Sequence, residues 1–121
     1  MRGGFRENLS ISRERIHREI SPQEYLQQQI EELKPRLQRF RLLYEQPLYI
    51  ANHNAHSIAY QFSLHGQNID VCQLRIALSI EYEMLVLTGT ASAHVFENKK
   101  QIFLQIAQSL KLPTVYNIPD T

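Results

Sequence analysis

The sequence has one cysteine, four glycines and no apolar run long enough to cross a bilayer. A single thiol, Cys72, excludes an internal disulfide. The missing span, and an N-terminus "MRGGFREN" without an apolar signal core, predict no membrane partner and an intracellular, cytoplasmic home. A net charge of +1 excludes a strong global field that would draw the chain to nucleic acid or lipid. No low-complexity tract, internal repeat or domain linker interrupts the chain.

What is present is the composition of a globular domain: 121 residues, 43% hydrophobic and 21% charged. That length closes one core without metals or disulfides. The charge is uneven, since eight of the nine arginines fall between Arg2 and Arg41. Glu7, Glu14, Glu19, Glu24, Glu31 and Glu32 lie among them, so the region is charge-laced rather than basic. The predicted organisation is a flexible arm over 1–11, one domain over 12–112 and an extended tail over 113–121.

Within the domain, "SRERIHREI" predicts a short helix after Ser12, with Ile16 and Ile20 on one face. "SPQE" is a helix start, with Ser21 as N-cap, Pro22 in the first turn and Glu24 at the third position. Behind it Leu26, Ile30, Leu33, Leu37, Phe40 and Tyr44 are spaced 4-3-4-3-4, a narrow helical seam. Its phase survives Pro35, which predicts one kinked helix ending near Gln46.

Downstream the rhythm changes to two. "LYIANHNAH" reads as a short strand and an Asn-rich turn. Ile58, Tyr60, Phe62 and Leu64 alternate, and "HGQN" is a turn. Cys72, Leu74, Ile76, Leu78, Ile80, Tyr82 and Met84 share one parity, which lines up on a strand and scatters on a helix. A strand over 71–87 is long and is predicted to bend near Ala77 or Ser79. "HVFE" reads as a return strand. Asn98 is the predicted cap of a last helix that buries Ile102, Phe103, Ile106, Ala107 and Leu110 and stops at Pro113. The predicted class is α+β: N-terminal helices, an antiparallel meander of three or four strands, and a C-terminal helix, with helices covering one sheet face.

Catalytic and metal chemistry finds little footing. Cys72, on the apolar parity, reads as an inert buried thiol. His53, His56 and His65 lack the spacing of a zinc motif, so neither metal nor other cofactor is expected. Glu81 and Glu83, on the polar parity with Arg75, read as a solvated, salt-bridged surface. No nucleophile elbow, phosphate loop or dinucleotide fingerprint occurs, and "TGTAS" has one glycine. A small enzyme with no recognisable motif stands as a remote alternative.

Nucleic acid is the stronger rival. "NKKQIFLQIAQSL" places Lys99 and Lys100 at the start of the last helix. In this pair and in its helix–sheet–helix order, the chain is similar to the double-stranded-RNA-binding domain, whose Lys-Lys pair meets phosphates. The resemblance covers about a dozen residues. Phe103 stands where that family has a further lysine, and the Gly-Pro-x-His loop is missing. Lys34, Arg36, Arg39 and Arg41 form a second basic candidate, diluted by Glu31, Glu32 and Glu45.

The favoured reading is a non-enzymatic interaction module: an adaptor, chaperone-like protein or regulatory subunit, a homodimer with a protein partner of unknown identity. One candidate interface is the seam Leu26, Ile30, Leu33, Leu37 and Phe40, with Tyr25, Leu42 and Leu43 off its line. The other is a sheet face of small, weakly polar side chains: Ala59, Gln61, Ser63, Gln73, Ala77 and Ser79. Symmetric pairing is the commonest use of such patches.

Overall fold

The computed structural model describes residues 7–16, 19–64, 66 and 68–110. The elements run β1 (Asn8–Arg15), α1 (Pro22–Leu33), a 3-10 turn (Lys34–Arg36), β2 (Gln38–Ile50), β3 (His53–Ser63), β4 (Asp70–Ile80), β5 (Glu83–Ser92), a second 3-10 turn (Ala93–Val95) and α2 (Phe96–Gln108). The five strands form one sheet in the order β1-β5-β4-β3-β2, and every pairing is antiparallel.

The class is α+β with an antiparallel sheet, and several details differ from expectation. The chain opens with a strand. Asn8–Arg15 pairs with β5, so residues 8–11 belong to the sheet rather than to an arm, and Ser12–Arg15 continue that strand where a short helix was expected. The tail over 113–121 and His65 lie outside the described residues. The order is therefore not helix–sheet–helix, which removes the topological half of the RNA-binding resemblance.

The helix start at Ser21 stands. Ser21 Oγ accepts the Glu24 N–H at 3.0 Å, and Pro22 occupies the first turn. The helix then stops at Leu33, and Pro35 sits in the 3-10 turn rather than in a kink. Beyond it the chain is β2. Two register shifts, between Gln38 and Arg41 and between Leu42 and Tyr44, explain how a strand imitated a helical seam. Each bulge adds one residue, so spacings of three occur where a strand has two. Arg39 carries the first at φ 56. Leu37 and Phe40 thus reach the α1 side together, and Tyr44 lands on the other side.

The β2–β3 hairpin turns through Ala51 (φ 50) and Asn52 (φ 65), the two positive-φ residues of a two-residue turn that matches strand twist. The long strand expected over 71–87 is two strands. Glu81, at φ 57, and Tyr82 form the turn between Ile80 and Glu83. That turn ends the stripe: Cys72, Leu74, Ile76 and Leu78 share one core, Tyr82 is exposed and Met84 belongs to the opposite core.

A helix packs against each face of the sheet. Under α2 lie Ala55, Ala59, Cys72, Leu74, Ile76, Leu78, Leu87 and Ala91, packed with Phe96, Phe103 and Ala107. Under α1 lie Ile58, Tyr60, Phe62, Val71, Ala77, Met84 and Val86, packed with Tyr25, Leu26 and Ile30. Registers Ile58↔Arg75 and Ala59↔Leu74 show why. The apolar parity of β3 faces the polar parity of β4, so the two stripes point to opposite layers. "HVFE" is a 3-10 turn entering α2 rather than a strand, and Val95, not Asn98, is the helix cap. On α2, Phe103 and Ala107 are buried while Ile102 and Ile106 are exposed.

Candidate docking groove

This architecture decides which candidate residues can meet a partner. Leu26 and Ile30 are core, and Leu33, Leu37 and Phe40 pack half-buried against them, so the seam is mainly internal. The proposed outer sheet face is not an outer face. Ala59, Ser63 and Ala77 are buried, and Gln61, Gln73 and Ser79 are partly covered between layers.

Gln73 joins a hydrogen-bond chain beneath α1. Arg75 donates from Nη1 to Gln29 Oε1 and from Nε to the Tyr60 hydroxyl, both at 2.9 Å. Tyr60 donates to Gln73, and Gln73 donates to Thr90 Oγ1 at 3.0 Å. Tyr25 donates to Glu14 and accepts from Gln29. The chain ties β1, α1 and the three central strands together, satisfying groups that would be costly to bury alone. Burial, then the Glu14 contact, pushes the Tyr25 hydroxyl up to about 12. Burial also pushes the Cys72 thiol up to about 11, which fits an inert side chain.

The basic candidates are dispersed and engaged. Lys34 pairs with Glu31 at 3.3 Å, Arg39 with Asp70 at 3.7 Å and Lys99 with Glu7 at 3.7 Å. Lys100 pairs with Glu97 at 2.9 Å, and its ammonium lies 5.0 Å from the centre of the Tyr44 ring. Arg36 is in the 3-10 turn and Arg41 on β2. The structure gathers no continuous phosphate-binding surface from them. Among the described residues, no three His, Cys, Asp or Glu side chains converge as a metal site. His53 contacts the Ala51 carbonyl, His56 contacts Glu45, and Glu83 pairs with Arg13.

A concave surface lies between α1 and β2. α1 packs over β3 and β4, leaving the β2 strip of that face uncovered. A groove of about 650 Å³ results, with Ile30, Phe40, Leu42 and Ile58 in its apolar lining. Leu42 is 47% exposed although it sits on a sheet face. Carboxylates of Glu24, Glu31, Glu32 and Glu45 line the same groove, with Lys34 the one ammonium among the described residues. Glu45 is held from behind by His56, whose Nε2 lies 2.8 Å from Oε1, and from α1 by Gln27 at 3.4 Å. A carboxylate only accepts, so His56 Nε2 carries the proton of that contact.

Sequence reasoning placed Leu42 off the seam and Glu45 as a diluting charge, and missed that they meet. The available signal was the pair of prolines, Pro35 and Pro47, which bracket a stretch better read as an edge strand than as a helix.

Among solved structures the chain resembles PA94, a Pseudomonas aeruginosa protein of unknown function (17% identity, TM-score 0.65), over 94% of this chain and 90% of that one. It also resembles cyanobacterial PsbP of Synechocystis sp. PCC 6803 (13%, TM-score 0.67), over 88% of this chain and 68% of that one. LpqN of Mycobacterium tuberculosis, described as involved in cell envelope biogenesis, is similar at 17% identity and TM-score 0.55, over 86% of this chain and 60% of that one. These identities show a shared fold. No curated protein matches the chain. The family comparison is more direct: its match spans residues 2–109, and the chain belongs to the DcrB family.

Proposed function

We propose that the chain is a non-enzymatic protein-interaction module, an adaptor, chaperone-like or regulatory subunit, and that it docks its partner in the α1–β2 groove. One observation carries this reading: Leu42 stands 47% exposed on the sheet face beside α1, in the lining of a groove. Concave apolar surface with a polar rim is the usual form of a docking site. A regulatory role has support in one structural neighbour, PA94, which is described as a candidate regulator. Action inside the cell is part of the proposal, and the free, buried Cys72 is compatible with it.

Pairing of two copies is also proposed. Ile102 and Ile106, exposed one turn apart on α2, supply apolar surface for it. Light scattering across a concentration series tests this part, and a strict monomer removes it.

The docking reading is tested by recovering the native partner with tagged full-length chain and repeating the capture with variants shown to fold by circular dichroism. Leu42→Gln is expected to lose the partner while Ile106→Gln retains it. The reverse pattern overturns the groove as the docking surface.

A further inference from the structure

Resting on the docking reading above, we propose that the groove's partner is a cationic amphipathic helix, laid beside α1 across the face of β2. The first argument is the incomplete layer. Five strands spaced about 4.8 Å apart span about 19 Å, and one helix about 10 Å wide covers roughly half of that. On the α2 face the second layer lies over β4 and β5; on the α1 face the helix lies over β3 and β4. Leu42 and Tyr49 of β2 are left 47% and 62% exposed. A second helix alongside α1 would cover the strip in the way helices cover sheets elsewhere in this fold.

The second argument is charge. Among the described residues, Glu31, Glu32 and Glu45 line the groove together with Glu24 and Lys34. α1 carries Glu24, Glu31 and Glu32 and no basic residue. Glu31 and Glu32 sit in its last turn, where the negative end of the helix dipole already disfavours anions. Among the described residues, Lys34 offsets them, through Glu31. Negative potential is therefore concentrated at that end of the groove, and lysine or arginine from a partner would relieve it. A uniformly apolar helix would instead strip water from these carboxylates without replacing it.

The third argument selects a helix over an added strand. β2 is an edge, but it is bulged twice and contains Pro47, features that disrupt strand addition. Its face, not its edge, is the available surface.

The test uses three fluorescein-labelled amphipathic peptides, each about 12 residues long to match α1. They share one leucine face and carry lysine, glutamine or glutamate on the other. Fluorescence anisotropy with the full chain is expected to show the lysine peptide binding roughly tenfold tighter than the glutamine peptide, with none for the glutamate peptide. Added salt should narrow the gap. Glu31→Gln with Glu32→Gln should remove the preference for the lysine peptide over the glutamine peptide. Leu42→Gln should abolish binding of the lysine and glutamine peptides. Equal affinity for lysine and glutamine peptides overturns the charge inference and leaves the docking reading standing. No binding by any peptide, or lysine-peptide binding undiminished by Leu42→Gln, overturns both.

Discussion

Phe103 of α2 lies so close to Gly89 of β5 that a Cβ on the glycine would stand 2.5 Å from ring atom Cδ2. The atoms met are in the body of a buried ring, not at the end of a flexible chain. Gly89 therefore sets how near α2 can approach the sheet. Gly89→Ala is expected to cost about 1–3 kcal/mol by overpacking, read by urea denaturation. Combined with Phe103→Ala it should cost less than the sum of the two single changes, because the clash is then gone.

The chain around Arg75 makes a second expectation. Arg75→Met keeps much of the volume but removes the donors to Gln29 and Tyr60. A loss of about 1–3 kcal/mol is expected, together with looser seating of α1, visible as faster amide exchange in residues 22–33. Arg75→Lys should not restore stability, since one ammonium lacks the fork that serves both acceptors.

Alkaline pH is the axis on which the fold should weaken. Tyr25 is pushed up to about 12 and Cys72 to about 11, and burial raises Tyr44 and Tyr60 in the same direction. A raised folded-state value means that the folded chain holds its proton longer than the unfolded chain. Stability is then fully present below the ordinary values, about 9 for Cys72 and 10 for tyrosine, and is lost as pH rises toward 11 and 12. Denaturation midpoints should hold up to pH 9 and fall beyond it, and Tyr25→Phe should flatten part of that fall.

Cys72 offers a chemical readout of the same burial. At pH 8 a thiol raised from 9.0 to about 11 has about a hundredfold less thiolate than a free one. Alkylation by iodoacetamide should be slower by at least that factor in the native protein and become fast in denaturant. Native labelling at the free-thiol rate would contradict the packed core.

The sequence disclosed more of the local structure than of the layering. Alternation from Cys72 to Leu78 meant extended backbone with a buried side, and the cap at Ser21 and the turn at Gly66 were legible because each depends on neighbouring residues. What alternation cannot disclose is the register between two strands. Ile58 facing Arg75's side of the sheet is a tertiary fact, and it converts a one-sided sheet into a two-sided one. The seam misled because bulges gave β2 three-residue steps that resemble a helix from Leu37 to Phe40. The groove was illegible for the same reason: Leu42 and Glu45 meet α1 only after Pro35 turns the chain back and the second bulge sets their facing.

The central claim is that the partner docks along β2, beside α1. An amide chemical-shift map of the full chain with the lysine-faced peptide bound tests it most directly. The account expects the large shifts at Gln27–Lys34 and Phe40–Glu45, with Phe96–Gln108 little changed. Shifts centred on α2 around Ile102 and Ile106, or on β1, would contradict it.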